Sequence, residues 1–317
     1  MPIETTVVGS FPKSKSPFEE AIREVVDLQL HYGLGLITDG ELRGNMIQYY
    51  EQIPGLEKHG DGLRIAGKVE PIKQDRIDEF YRIKDYRAVK STLASMGKEN
   101  VKVKIGITGP MTLGTICAST DIDSTLKHYD LREGEEEALY SDFSDALLPV
   151  VQRLLDIGAY VQIDEPLLST QQVSVEAARK VLKDFTHSLP SSSIREERVL
   201  CHVCGSIKSV DGLYDLLLSL NIPILSLGFS GEKETENFDV VSKKSFEKHG
   251  KKLGAGFISN VNVEDEKTVL ERYKRIEAIM GKENIRYVHP DCGFRLTPPK
   301  KVKLILEKIR AVADRIT

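Results

Sequence analysis

Short runs of β-branched and apolar residues alternate along the chain with longer stretches in which apolar residues recur every three or four positions. The short runs predict buried strands, and the longer spacing predicts amphipathic helices. The predicted strands are 5–10, 36–41, 101–108, 159–166, 199–204, 223–229, 253–259 and 285–292. The clearest predicted helices are 18–32, 135–157, 175–189, 210–220, 264–280 and 299–316.

The repeated order of strand and then helix predicts an α/β fold. Eight such units within 317 residues fit a (β/α)8 TIM barrel. A doubly wound open sheet is the alternative, because the order of strands in space cannot be deduced from one sequence. A long insertion follows the second strand, at 43–71, and its segment 63–72 is predicted to form a hairpin around Gly67. Residues 1–317 contain no linker or repeat and are predicted to form a single domain.

Composition excludes two classes of partner. The chain is 40% hydrophobic and 29% charged, which is ordinary for a globular protein, and its net charge of -4 comes without a basic block. A nucleic-acid partner is therefore not expected. No apolar run approaches the roughly 20 residues of a membrane span, and the N-terminus lacks a signal-peptide pattern. We expect a cytoplasmic protein that does not bind membranes.

Polar residues of reactive types are concentrated at the predicted carboxyl ends of the strands. In a (β/α)8 barrel these ends meet at one rim, where catalytic groups lie. The residues found there are Ser10, Glu41, Thr108, Asp164, Glu165, His202, Cys204, Gly228, Ser259, Asn260, Asp291 and Cys292. A rim rich in carboxylates, thiols and imidazole predicts an active site.

Three of these residues suggest a metal site. His202 and Cys204 are two positions apart on a strand, so their side chains share a face and can reach one ion. Cys292 ends the last strand at the same rim. One imidazole and two thiolates suit Zn²⁺, and three protein ligands with an open fourth position are typical of catalytic zinc. The spacing alone leaves open that the His-Val-Cys pair is chance and that Cys292 is a core thiol. Cys201 faces away from the rim and is predicted to be a buried packing residue, as is Cys117.

Other rim residues also have plain structural interpretations. The acidic pair Asp164 and Glu165 can cap the start of a helix. Glu41 follows a Thr-Asp-Gly sequence and can be a turn residue. His289 is predicted to be a buried, hydrogen-bonded histidine and not a ligand.

Six short motifs occur in the same order as in a known family. They are VVGSFP (7–12), DGE (39–41), GITGPMT (106–112), QIDEP (162–166), HVCG (202–205) and PDCG (290–293). Together they resemble the catalytic C-terminal barrel of cobalamin-independent methionine synthases, in particular the single-barrel archaeal type, over nearly the whole chain. The resemblance implies a zinc-dependent methyltransferase that converts L-homocysteine to L-methionine. It implies His202, Cys204 and Cys292 as zinc ligands, and Ser10, Glu41 and Asp164 as the residues that hold the amino-acid part of homocysteine.

The chain departs from the family pattern in three places. The larger synthases have an additional N-terminal barrel, to which nothing here corresponds. Gly228 stands where the family has a glutamate zinc ligand, which leaves Glu232, Glu234 or water for the fourth position. Ser259 and Asn260 stand where folate-using members have a histidine that helps to protonate the folate nitrogen.

The last departure bears on the methyl donor. Expelling a folate nitrogen needs an acid, whereas expelling cob(I)alamin from methylcobalamin does not. The chain also lacks Trp, an aromatic that the larger enzymes place near folate. We therefore predict a methyl-corrinoid donor, either methylcobalamin or a methylated corrinoid protein. The alternatives are a folate-dependent methionine synthase, a methylcorrinoid:thiol methyltransferase with another thiol acceptor, a zinc protein without activity and a metal-free decarboxylase.

Overall fold

Eight parallel strands form a nearly closed barrel in the computed structural model, which describes residues 3–132 and 135–316. Around the ring the order is β1-β10-β9-β8-β7-β6-β5-β2, and a bridge between Thr6 and Leu36 brings the two ends together. The strands are β1 (Glu4–Thr5), β2 (Leu36–Thr38), β3 (Leu56–His59), β4 (Gly62–Ile65), β5 (Lys102–Thr108), β6 (Tyr160–Asp164), β7 (Val199–Val203), β8 (Ile224–Gly228), β9 (Lys252–Ile258) and β10 (Ile285–Pro290). The predicted (β/α)8 barrel is confirmed, and the doubly wound alternative is wrong.

Helices surround this ring, and all six predicted helices are present. They are α1 (Phe18–His31), α2 (Tyr81–Ser95), α3 (Pro110–Thr120), α4 (Ile122–Thr125), α5 (Glu137–Asp156), α6 (Val175–His187), α7 (Ser191–Arg195), α8 (Leu213–Ser219), α9 (Lys243–Lys248), α10 (Glu266–Met280) and α11 (Pro299–Ile316). Short 3-10 turns lie at Gln48–Tyr50, Gln74–Glu79, Pro166–Ser169, Glu234–Asp239 and Lys282–Asn284. None of the helices among the described residues is long and apolar enough to pass through a lipid bilayer.

The strands are continuous apolar runs because both of their faces are covered. All five residues of β7 are buried. Leu200 faces into the ring, where it packs with Leu36 and Tyr287, whereas its neighbour Cys201 belongs to the core between strands and helices. This alternation brings His202 to the inner face and confirms Cys201 as a packing residue. Cys117 is likewise buried, on α3.

The insertion after β2 contains a hairpin, but not where it was predicted. β3 and β4 pair antiparallel, with His59 opposite Gly62 and the turn at Gly60 and Asp61. The predicted turn at Gly67 is wrong. A two-residue loop of Gly and Asp is a strong hairpin signal, and the sequence His-Gly-Asp-Gly carries it.

The first strand leaves the ladder early. β1 ends at Thr5, although the apolar run continues to Val8. Beyond the Thr6 bridge, backbone contacts come from other elements, such as the Nζ of Lys104, which donates to the Val7 carbonyl at 2.7 Å. This segment carries Ser10 to the barrel mouth.

Candidate active site

The three predicted metal ligands meet at the carboxyl-end rim. His202 Nε2 lies 2.9 Å from Cys204 Sγ, and Cys204 Sγ lies 3.0 Å from Cys292 Sγ. All three donor atoms are within 4.8 Å of one another. β7 and the end of β10 supply them, three positions apart in the ring. The long-range closure of the barrel thus brings together residues that are 88 positions apart in sequence.

This donor set fits a zinc ion. With Zn–S bonds of about 2.3 Å, two thiolates around a tetrahedral ion lie about 3.8 Å apart, so Cys204 and Cys292 would separate by only about 0.8 Å. The hydrogen bond from Cys204 holds the pKa of the Cys292 thiol well below its ordinary value, so Cys292 ionises first. Deprotonated thiols are the form in which cysteine binds metals.

A chain of hydrogen bonds fixes the orientation of His202. Its Nδ1 lies 3.0 Å from Ser226 Oγ, which lies 2.9 Å from Nε2 of His289, whose Nδ1 lies 2.7 Å from the Pro290 carbonyl. That carbonyl can only accept, so Nδ1 of His289 carries a hydrogen and its Nε2 accepts from Ser226. Burial lowers the pKa of His289 to about 3, which keeps its ring neutral. Ser226 can then accept from Nδ1 of His202, which leaves Nε2 free to face the thiols. As predicted, His289 is a buried, hydrogen-bonded histidine.

Two carboxylates converge beside this centre. Asp164 ends β6 and is paired in register with His202, and Glu41 follows β2. A Cβ placed on Gly106 would lie 2.8 Å from Glu41 Oε1 and 2.9 Å from Asp164 Oδ2. Both oxygens therefore occupy the space that a side chain on β5 would take. Glu41 also has a φ of 53°, a conformation that a residue other than glycine adopts at a cost and that is common at functional sites.

Buried cations and amides hold these two acids. Arg82 donates to Glu41 Oε1 at 3.2 Å and also pairs with Asp39 at 3.0 Å. Gln162 donates to Asp164 Oδ1 at 2.7 Å and accepts from Lys104 at 2.6 Å. Burial raises the pKa of Asp164 to about 7. A cationic group brought into the cavity would favour the ionised form of Asp164, because an opposite charge nearby lowers the pKa of a carboxyl group.

The adjacent acid has a separate role. Glu165 is fully buried and accepts from the backbone N–H groups of Met111, at 3.0 Å, and Thr112, at 2.8 Å, in the first turn of α3. The capping interpretation of the acidic pair is therefore correct for Glu165. Asp164 instead faces the cavity, because successive side chains on a strand point to opposite faces.

One cavity contains all six predicted site residues. Its volume is about 310 Å³, and its lining comprises Val8, Ser10, Glu41, Asn45, Met46, Thr108, Asp164, Pro166, His202, Cys204, Cys292, Gly293 and Arg295. Ser10 is held there because its carbonyl accepts from the backbone N–H of Phe294 at 2.7 Å. Sequence reasoning missed Asn45 and Met46, which come from the insertion, and Arg295, which lies three residues after Cys292.

The end of β8 has no room for the family's glutamate. A Cβ on Gly228 would lie 2.8 Å from Glu234 Cγ and 3.0 Å from Asp291 Cγ. Asp291 is itself held by the backbone N–H groups of the loop 229–231. Neither Glu232 nor Glu234 belongs to the group of donors that lie within 4.8 Å of one another in the described part of the chain.

The reactive side chains lie at the carboxyl-end rim, which is where TIM-barrel enzymes have their active sites. The fold and the site together therefore define the chain as a TIM-barrel enzyme. Residues 13–315 match the family model described as "Cobalamin-independent synthase, Catalytic domain". The chain belongs to this family, as the sequence motifs predicted.

Relatives of the chain support this family assignment. A methionine synthase from Methanothermobacter marburgensis is 31% identical over 307 residues, covering 93% of this chain and 87% of that protein. A methionine synthase from Methanocaldococcus jannaschii is 29% identical over 323 residues, covering 93% of each chain. The solved B12-independent methionine synthase from Shewanella sp. W3-18-1, in complex with selenomethionine, has a TM-score of 0.69 at 17% identity, covering 100% of this chain and 98% of that one. At this sequence identity, the similarity to the Shewanella structure establishes only the fold.

Membership of the family makes the chain a methyltransferase and supports methyl transfer to homocysteine, giving methionine. Zinc is in keeping with the family and with the His/Cys/Cys group. The predicted corrinoid donor and corrinoid-protein partner receive no support here, because the matched family is described as independent of cobalamin.

Proposed function

We propose that the chain methylates the thiol of L-homocysteine in a zinc-dependent reaction, with His202, Cys204 and Cys292 as the metal ligands. The observation that carries this proposal is the meeting of those three donors with two carboxylates in one cavity of about 310 Å³. Zinc bound there would supply a thiolate at neutral pH, since a coordinating thiol loses its proton. A free thiol, with a pKa of about 8.5, is mostly protonated.

The remaining residues position the acceptor. Glu41 and Asp164 would accept charge-assisted hydrogen bonds from the substrate ammonium. Ser10 would donate to the substrate carboxylate through its hydroxyl. Such a clamp fixes the sulfur of the acceptor for in-line attack on a methyl group, and this positioning lowers the barrier.

The acid pair favours an amino-acid acceptor over other thiols. A thiol that carries a sulfonate or a phosphate but no amine would place negative charge against Glu41 and Asp164, which is unfavourable. The alternative function, methyl transfer to a different thiol, is thus tested by comparing homocysteine with an anionic thiol such as 2-mercaptoethanesulfonate. We expect methylation of homocysteine and little of the sulfonate.

The sequence-based preference for a methyl-corrinoid donor rests on the leaving group. Asn260 donates to the Gly293 carbonyl at 2.9 Å, and Ser259 accepts from the backbone N–H of Asn262 at 3.0 Å. Neither is an acid that could protonate a departing amine. This argument favours a donor that leaves without a proton, as cob(I)alamin does, against the family's cobalamin-independent description.

The experiment that tests the function is a methionine-formation assay on purified, zinc-loaded protein. Homocysteine is the acceptor, and methylcobalamin and methyl-tetrahydrofolate are offered separately. Methionine from either donor supports the function, and the faster donor identifies the leaving-group class. No methionine from either donor, with zinc bound stoichiometrically, would contradict the proposal.

A further inference from the structure

Lys104 is a buried amine to which the proposed function gives no role. It lies on β5 with 1% of its surface exposed, two positions before Gly106, so both residues face the inside of the barrel. The interior of such barrels is usually filled by branched apolar side chains. A lysine in that place gives up its hydration, which is costly unless its N–H groups are hydrogen-bonded.

The hydrogen bonds of Lys104 go to the layer directly beneath the cavity. Its Nζ donates to the Val7 carbonyl at 2.7 Å and to Oε1 of Gln162 at 2.6 Å. Gln162 is fully buried on β6, two positions before Asp164, and therefore shares the inner face of the strand with it. Both acceptors of Lys104 are neutral oxygens, so its hydrogen bonds reach the acid pair only through an amide.

The amide of Gln162 has one orientation that satisfies its neighbours. Its nitrogen lies 3.0 Å from the Val8 carbonyl and 2.7 Å from Oδ1 of Asp164, and both of those oxygens act as acceptors. Its oxygen then faces Lys104, because the ammonium of lysine can only donate. The three side chains thus form a chain of hydrogen bonds that runs from Lys104 through Gln162 to Asp164.

This chain decides which oxygen of Asp164 faces the cavity. Oδ1 is engaged by Gln162, and Oδ2 lies with Oε1 of Glu41 in the space that a side chain on Gly106 would take. Without Lys104, Oε1 of Gln162 would be a buried acceptor that has lost its donor, and rotation of the amide would reduce that cost. The same rotation would remove the donor at Oδ1 and release the carboxylate of Asp164 from its position.

We propose that Lys104 is a positioning residue for the acceptor: through Gln162 it holds the Asp164 carboxylate where that group meets the ammonium of the substrate. This inference rests on the proposed function, because it takes an amino-acid thiol as the acceptor. It adds a residue from the barrel interior, one layer behind the cavity lining, to the groups that select the substrate.

The test compares two thiols that differ only in the group that Asp164 would bind. Homocysteine carries the ammonium, and 4-mercaptobutanoate is the same molecule without it. Their affinities for zinc-loaded wild type and Lys104→Met are measured by calorimetry, so no methyl donor is needed. Wild type should bind homocysteine about 10- to 100-fold more tightly, the range for a hydrogen bond between charged groups. In Lys104→Met this preference should fall about tenfold, with the affinity for 4-mercaptobutanoate nearly unchanged.

A purely electrostatic role of Lys104 predicts the opposite sign. Removing a positive charge near the cavity would strengthen the binding of an ammonium, so an unchanged or larger preference in Lys104→Met would overturn the positioning role. Equal weakening of both thiols would also overturn it, because a general loss of structure does not distinguish the two ligands. Lys104→Gln carries a donor without the charge and should recover part of the preference. Gln162→Met breaks the chain at its second member and should lower the preference as well, even if Lys104→Met does not fold; an unchanged preference in Gln162→Met would contradict the proposal.

Two comparisons connect the effect to Asp164. In the Asp164→Asn background, Lys104→Met should lower the preference no further, because substitutions within one hydrogen-bond network are not additive; full additivity would contradict the proposal. Lys251→Met is the matched control, since Lys251 is also buried and its Nζ donates to the carbonyls of Leu220 and Ile222. Lys251 lies just before β9, at the end of the barrel opposite the cavity, and its variant should bind both thiols like wild type.

The outcome also distinguishes this inference from the proposed function. A preference for homocysteine that falls in Lys104→Met, in a protein that forms no methionine, would keep the role of Lys104 and contradict methyl transfer. Methionine formation by a wild type that binds both thiols equally would contradict the role of Lys104 and leave methyl transfer standing. Zinc content is measured for every variant, so that a lost metal is not mistaken for a lost ammonium contact.

Discussion

Replacing Ser226 by alanine tests whether the hydrogen-bonded chain behind His202 contributes to metal binding. The hydroxyl of Ser226 lies 3.0 Å from Nδ1 of His202 and 2.9 Å from Nε2 of His289, and its removal breaks both contacts. Outer partners of metal-binding histidines are typically worth 10- to 100-fold in metal affinity. The backbone carbonyl of Ser226 remains 3.2 Å from Nδ1, so His202 keeps one acceptor. We therefore expect the zinc affinity of Ser226→Ala to fall by an amount near the lower limit of this range, about tenfold or about 1.4 kcal/mol.

The assay is competition for zinc between the protein and a chromophoric chelator of known affinity. Ser193→Ala is the matched control, because Ser193 is also buried and accepts a hydrogen bond, from Arg198 at 2.9 Å, but lies on α7 away from the cavity. The control should bind zinc like wild type. A zinc dissociation constant of Ser226→Ala within twofold of wild type would refute the orienting role. The variant should also unfold more easily, because His289 loses the hydrogen bond that its Nε2 makes with Ser226, at a cost of about 0.5–1.5 kcal/mol.

Three further predictions concern the ligands, the acid pair and a buried lysine. Cys292→Ala should lose most bound zinc and all methyl transfer; stoichiometric zinc with full activity would count against the site. Asp164→Asn should weaken homocysteine binding, by about tenfold or more for a lost charge-assisted hydrogen bond, and change zinc affinity less; equal homocysteine affinity in calorimetry would remove the role of Asp164. Lys251 is buried, and burial lowers its pKa to about 8 from an unfolded value near 10.5. The unfolded state therefore binds more protons between these values, and wild type should gain up to about 3 kcal/mol of stability from pH 8 to 10.5. Lys251→Met should lack this gain when the free energy of unfolding is measured by denaturant titration at several pH values. If the stabilities of the two proteins changed with pH in parallel, the lowered pKa of Lys251 would be contradicted.

The barrel and the residues at its rim could be predicted because both depend on local patterns of apolar and polar residues along the sequence. Continuous apolar runs are typical of strands buried on both faces, and the run 199–204 matches β7 to within one residue. The spacing of His202 and Cys204 placed both on one face. The partner Cys292 needed either the barrel assumption or the family resemblance, because spacing cannot show which distant strand ends nearby.

The parts that could not be predicted depend on tertiary contacts. Arg295 lines the cavity and donates to the carbonyls of Glu41 and Gly44, which follow β2, and no sequence signal shows this contact. α2 was missed because it is only weakly amphipathic, and residues such as Arg82 and Asp85 are buried on it as an ion network. The hairpin turn lies at Gly60 and Asp61 and not at the predicted Gly67, because a Gly-Asp loop favours a tight two-residue turn.

The central claim is that zinc held by one imidazole and two thiolates accepts the thiol of homocysteine. X-ray absorption at the zinc edge tests it most directly, with spectra of the zinc-loaded protein taken before and after homocysteine is added. The account predicts two sulfur neighbours at about 2.3 Å without homocysteine and three with it. A sulfur count that stays the same when homocysteine binds, or fewer than two sulfurs in the protein alone, would contradict the account.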